Sequence, residues 1–239
     1  MVILVLAMLT SVGVLGWSWL NELVFRTIDV SGNVQSEPDE LIAAARVDTG
    51  VALFDIDPAL IADRVKRHPW VRTADVTRLP PGTLSIKVRE RDPVVLVIDA
   101  NGIPSDYLDA EGYRMPVTDH SSFDLPLLVG AELPPNPTQP IESPAVADLL
   151  AAVGEIGPKT DVLISSFVVD ASGQIALRTE PIHGQGSIVV RLGRRDFDRK
   201  LRELRAFWDQ AVVTRPDTKY EWIDLRFDSQ IVTREASGT

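Results

Sequence analysis

Residues 68–88 read as two strands joined by a tight turn. Val71, Ala74 and Val76 are apolar on the first arm. Leu84, Ile86 and Val88 alternate with Ser85, Lys87 and Arg89 on the second, the period-two pattern of a strand with one buried face. Pro80, Pro81 and Gly82 supply the turn, since proline presets φ and glycine reaches conformations that other residues avoid. Residues 24–30 alternate similarly and end at Gly32 and Asn33, as an edge-type strand. Between these strands lie two segments of helical spacing. In the first, Ser36 is the expected N-cap, Pro38 sits in the first turn, and Leu41, Ile42 and Ala45 form the apolar stripe. In the second, Asp57 caps, Pro58 takes the first position, and Leu60, Ile61 and Val65 face inward. The order is β-α-α-β-β, a small α+β unit with both helices on one sheet face. Phe54, Trp70, Val71 and Leu84 are read as its core.

The pattern after residue 92 is mostly of short strands. Residues 93–117 give successive strands with turns at Asn101-Gly102 and Glu111-Gly112. "AELPPNPTQP" is a proline-rich surface loop. Ser143 and Pro144 open a helix to about Ile156, with Val146, Leu149, Leu150 and Val153 at helical spacing. "VLISSFVVD" and "QIALRTE" flank a turn at Ala171-Ser172-Gly173, and "SIVVRLG" is a further strand. Phe197, Leu201, Leu204, Trp208 and Val212 share one face of an amphipathic helix. "KYEWIDLRFDSQIVTRE" closes the chain as a strand pair or one long bent strand.

The first residues differ from all of this. Residues 1–21 carry no charged side chain. A spanning helix needs about 20 apolar residues to cross roughly 30 Å of hydrocarbon, and Trp17 and Trp19 sit near one end, where amphipathic rings favour the interface. No basic group precedes the apolar core and "GWSWLNE" is a poor cleavage site, so the segment is read as an anchor rather than a removed signal peptide.

The formal charge is −10 over 239 residues. The acidity is concentrated in residues 93–190, where Arg114, Lys159 and Arg178 are the only basic side chains besides histidine. Such a chain lacks the clustered Lys and Arg that phosphate contacts need, and nucleic acid is not an expected partner. With no cysteine, disulfides, thiolate metal sites and cysteine nucleophiles are excluded.

"VSGN", "LFDID", "PWVRTADVTRLPPGTLSIKV" and "RERDPV" together resemble the POTRA domain of the bacterial cell division family FtsQ/DivIB. Leu79 stands where that family often has tryptophan. "YLDAEG", "LPLLVG", "VVRLG" followed by a basic helix, and "WIDLRFD" recur in the family in that order. The resemblance implies a fold with an N-terminal transmembrane helix, a POTRA domain and a mainly antiparallel β domain with flanking helices. The expected boundaries are 1–21 for the anchor, 24–92 for the POTRA domain, 93–234 for the β domain and 235–239 for a tail. It further implies a single-pass protein of the inner (cytoplasmic) membrane, its bulk in the periplasm and enriched at the division septum. There it would serve as a scaffold of the divisome, docking other division proteins through the POTRA domain.

No catalytic or metal signature stands beside this. His68, His120 and His183 lie far apart, and no nucleophile elbow, P-loop or dinucleotide fingerprint occurs. Asp57 and Asp196 are explained as helix-start charges. No enzyme activity, catalytic residue, metal or cofactor is expected. A sheet can instead bind through an edge strand, whose unpaired N–H and C=O groups accept a strand from another chain. By the resemblance, Arg226, Phe227, Asp228 and Ser229, with Ile231 beyond them, are the partner-binding residues, and the partners are membrane-anchored coiled-coil proteins of the FtsB and FtsL type. Trp222 and Ile223 are read as core. The alternative class is a POTRA-containing envelope assembly or secretion factor, but several POTRA units or a long barrel would then be expected.

Overall fold

The computed structural model describes residues 23–236 apart from 49, 119–120, 157–162, 182–185, 216 and 229, together with residues 3, 5 and 8–12. Most of the expected anchor, residues 1–21, therefore lies outside the described residues, as do His120, His183 and Ser229. Among the described residues no helix is long and apolar enough to cross a membrane. The chain divides into two compact units, Met1–Arg91 and Asp92–Thr239.

The first unit contains β1 (Thr27–Ser31), α1 (Pro38–Ala45), a 3₁₀ turn (Leu53–Asp55), α2 (Pro58–Val65), β2 (Val71–Leu79) and β3 (Thr83–Glu90). The sheet order is β1-β3-β2, with β1 parallel and β2 antiparallel to the central β3. Leu84, Ile86 and Val88 point to one face of β3 and meet Leu41 and Ala45 of α1 and Ile61 and Val65 of α2 in a single apolar cluster. A bulge between Val71 and Thr73 shifts the period of β2, so Val71 and Ala74 both reach that cluster.

Three local expectations need correction. Ser36 does not cap α1: Glu37 holds the N-cap position without a side-chain bond. Ser36 is instead buried, and its hydroxyl donates to Glu90 Oε1 at 2.5 Å. The same carboxylate accepts the N–H groups of Val34, Gln35 and Ser36 at 2.8–3.0 Å, tying the end of β3 to the approach to α1. Asp57 caps α2 as its position suggests, accepting from Ala59 N–H at 2.9 Å. Leu60 and Phe54 are exposed rather than core. In a helix of only eight residues the buried stripe is one i, i+4 pair, Ile61 and Val65, and in the 3₁₀ turn Leu53 takes the single inward place.

The second unit is built on one nine-stranded sheet: β4 (Pro93–Ile98), β5 (Pro104–Asp109), β6 (Arg114–Pro116), β7 (Leu127–Val129), β8 (Ile164–Val169), β9 (Ile175–Thr179), β10 (Val189–Gly193), β11 (Tyr220–Asp224) and β12 (Val232–Glu235). Their order across the sheet is β12-β11-β10-β9-β8-β7-β4-β5-β6. Most neighbours are antiparallel, but β4/β7, β7/β8 and β10/β11 are parallel. A parallel neighbour requires a crossover. Helix α3 (Pro144–Glu155) lies between β7 and β8, and α4 (Phe197–Phe207), extended by a π-helical turn over Trp208–Val212, lies between β10 and β11. Both helices bury their apolar stripes in one core with Val95, Leu108, Phe167, Leu177, Val190 and Ile223.

Three hairpin turns share one construction. "DANG", "DAEG" and "DASG" begin at Asp99, Asp109 and Asp170. Each aspartate accepts the N–H two residues on (Asn101, Glu111, Ser172) and four residues on (Ile103, Tyr113, Gln174), all at 2.8–3.0 Å. The acids of this region thus have structural work in its turns.

Candidate partner-binding edge

The sheet of the second unit ends at β12, which has β11 on one side and, among the described residues, no strand on the other. An edge of this kind leaves alternate main-chain N–H and C=O groups facing outward. The chain reaches it in a defined way. Strand β10 carries Val190 and Leu192 inward, and α4 then packs Phe197, Leu201 and Leu204 on the same core. The turn between them is held by Lys200. Its buried ammonium donates to the carbonyls of Leu192 (2.6 Å) and Arg195 (2.7 Å). Burial pulls its pKa below the ordinary lysine value, and Asp196 opposes that only in part.

Strand β11 lies parallel to β10 in the register Val189↔Trp222 and Arg191↔Asp224, and β12 returns antiparallel with Trp222↔Arg234 and Asp224↔Val232. Residues 225–231 connect the pair. The candidate residues Arg226, Phe227 and Asp228 sit in this connection rather than within the edge strand itself. Leu225 begins it, buried, with its N–H donated to Arg191 O at 2.9 Å.

Arg226 turns back onto Asp224. Its Nε lies 2.9 and 3.1 Å from the two carboxylate oxygens and its Nη2 2.6 Å from Oδ2. Asp224 is only 2% exposed. Burial alone would push its carboxyl up, but hydrogen bonds and charge from Arg226, with the charge of Arg191, hold it below the usual carboxylate range. Asp228 is tied to α4 through Arg199 at 3.1 Å. Phe227 is 51% exposed, and Ile231 is partly buried against the core.

Ile223 is core, as its pattern suggests, but Trp222 is only half-buried. It lies on the sheet face opposite Ile223, with the Arg191 guanidinium 4.8 Å from its ring centroid. Beside it a groove of about 260 Å³ runs over Val168, Ala176, Val189 and Arg191 to Arg226. Two contributors, Asp224 and Lys200, lie outside the apolar patterns that mark the elements. Asp224 stands two residues before Arg226, the spacing that puts opposite charges on one side of an extended chain. Lys200 has no such marker: in the sequence it is one of several charges on a basic helix.

Among the described residues no group of three His, Asp or Glu side chains is placed to hold a metal ion. His68 Nε2 lies 3.3 Å from Glu40 in the first unit, and Asp198 pairs with Arg202 along α4.

A three-stranded α+β unit followed by a large, mostly antiparallel sheet defines a POTRA domain joined to a β domain. Residues 23–91 match the family model described as "POTRA domain, FtsQ-type", and residues 92–234 match that described as "FtsQ/DivIB, C-terminal related". The chain belongs to the FtsQ/DivIB family of cell division proteins. It is 51% identical to the cell division protein FtsQ of Rhodothermus marinus over 219 residues, covering 92% of this chain and 80% of that protein. To its counterpart in Salinibacter ruber it is 40% identical over 235 residues, covering 97% and 90%.

Proposed function

We propose that this protein is a non-enzymatic scaffold of the bacterial divisome. In this reading residues 1–21 anchor it once in the cytoplasmic membrane, and residues 24–92 and 93–234 stand in the periplasm at the septum. The second of these docks membrane-anchored coiled-coil proteins of the FtsB and FtsL type, one of which adds a strand to β12. The POTRA domain receives other division proteins. One observation carries the reading: the sheet ends in an open strand whose approach, residues 225–228, is fixed from within by Asp224, Arg191 and Arg199 while Phe227 stays exposed. A preorganised edge with an exposed aromatic beside it is the arrangement strand addition uses.

Hydrogen exchange on the full chain in detergent, with and without the extracytoplasmic segment of an FtsB-like partner, tests it. New protection confined to about residues 220–236 is expected. Protection confined to the POTRA domain, or none, would remove the edge from the account.

A further inference from the structure

Four exposed apolar side chains belong to segments that meet at one end of the first unit. Val24, Val51, Phe54 and Leu79 are 37–44% exposed and distant in sequence, yet main-chain and arginine contacts draw their segments together. Leu53 N–H donates to Leu23 O at 2.7 Å, Phe25 N–H to Val51 O at 2.9 Å and Arg26 N–H to Gly82 O at 2.8 Å. Arg78, next to Leu79, donates from Nε to Ile56 O at 2.9 Å, and its guanidinium lies 5.8 Å from the Phe54 ring centroid. Residues 23–26, the 3₁₀ turn and the tip of the β2–β3 hairpin therefore form one apolar end. Arg26 and Arg78 flank it. Of the nearby acids Asp57 is turned to the start of α2, and Asp55 is exposed. The other end of the sheet lies about 20 Å away along β3 at ~3.3 Å per residue. There Val34, 82% exposed, donates its N–H to Glu90.

This patch begins where the uncharged segment stops. Only Glu22 separates residues 1–21 from Leu23, and a pair of residues spans at most about 7 Å. We infer that this end of the POTRA domain rests on the lipid bilayer, with Val24, Val51, Phe54 and Leu79 at the headgroup–acyl boundary and Arg26 among the lipid phosphates. The inference rests on the reading of residues 1–21 as an anchor. Apolar side chains rimmed by arginines are what an interfacial surface presents, because the rings and aliphatic groups leave water while the guanidinium groups keep their charge in the headgroup layer. Contact there would fix the tilt of the domain on the membrane, which a one-helix tether alone leaves free.

The chain contains no cysteine, so single substitutions can carry a fluorophore without background. The full chain, as Phe54→Cys, Leu79→Cys, Val34→Cys or Leu9→Cys, is labelled and reconstituted into phosphatidylethanolamine–phosphatidylglycerol vesicles with a nitroxide near the top of the acyl chain or, for the Leu9 label, near its end. Labels at Phe54 and Leu79 should lose roughly half their emission or more to the lipid nitroxide and be shielded from aqueous iodide, while the Val34 label shows the reverse. Adding Arg26→Glu to Phe54→Cys should restore much of the emission. A quenched Leu9 label with unquenched Phe54 and Leu79 labels would overturn the patch and leave the anchor standing. Phe54 and Leu79 labels shielded from both quenchers would give the patch to a second copy or another protein, and overturn the lipid assignment. An unquenched Leu9 label would overturn the anchor and the inference with it.

Discussion

Arg226 and Asp224 form a clamp in which only the carboxylate is buried: the guanidinium reaches both its oxygens at 2.6–3.1 Å from the half-exposed start of the β11–β12 connection. Replacing Arg226 with alanine leaves a buried carboxylate facing Arg191 at 3.7 Å. A loss of about 1–2 kcal/mol is expected, the lower part of the charge-assisted range because the arginine is partly solvated. Arg226→Lys should recover only part of it, since an ammonium cannot make the forked contact. Urea unfolding midpoints measure both, and an unchanged midpoint for Arg226→Ala would show the clamp to be idle.

The same pair gives a pH dependence with a definite sign. Asp224 ionises below its ordinary value of 3.8 in the folded chain. A carboxyl depressed on folding contributes stability that is complete above the unfolded value and lost as pH falls through the folded one. The stability gap between the wild type and Asp224→Asn should therefore narrow as pH drops from about 6 to about 3. A gap that stays constant over that range would remove Asp224 as the source.

The D-A-x-G turns predict a second titration. The carboxyl of Asp99 is held down chiefly by the Ile103 N–H and that of Asp170 chiefly by the Ser172 hydroxyl. The amide shifts of Ile103 and Gln174 should report midpoints below 3.8, the ordinary value. Asp170→Asn should keep its turn through the remaining carbonyl acceptor, whereas Asp170→Ala should loosen it. Equal behaviour of the two variants by NMR would contradict that account.

Gly32 and Gly130 end β1 and β7, each beside a parallel neighbour. Their φ angles are +86° and +80°, and an added Cβ would lie 2.1 Å from Val88 O and 2.3 Å from Val169 O. Alanine at either position should cost about 2 kcal/mol or more, from the left-handed backbone and the clash together. Gly50, at φ +91° with open space around it, supplies the control: its alanine variant should bear the backbone cost alone. Thermal denaturation of the three variants separates the contributions.

On the proposed docking mode, Phe227→Glu, in the connection beside the edge strand, should weaken binding of an FtsB-like segment about tenfold or more, as loss of an aromatic contact does. Because Phe227 is half-exposed, the unfolding midpoint should hold. Calorimetric titration beside a thermal melt distinguishes lost docking from lost folding, and wild-type affinity would exclude Phe227 from the interface.

Much of this was legible in the chain itself, for identifiable reasons. The stripes Leu84-Ile86-Val88 and Phe197-Leu201-Leu204-Trp208-Val212 are long and regular enough to declare both their element and their buried face. Short elements gave less: with one or two turns of helix, Leu60 and Ile61 compete for the same inward position, and only packing decides. Ser36 looked like a cap because capping is local, but its partner Glu90 lies 54 residues away. The parallel pairings β4/β7, β7/β8 and β10/β11 were not legible either, since alternation reveals a buried face but not the neighbour on each side. Phe227 is a candidate through the family resemblance alone, and the bond that sets the path beside it, from Arg226 to Asp224, shows only in three dimensions.

The parallel pairing of β10 with β11 also bears on damaged chains. A protein cut short after α4 would keep its helices and most of its core, but the sheet would then end at β10. That strand, "VVRLG", has Val190 and Leu192 on one face and, on the other, Val189 beside its single charge, Arg191. Loss of the last twenty residues would thus do more than delete the strand proposed to receive a partner. It would open β10 as an edge guarded by a single charge, leaving the chain prone to pair with itself.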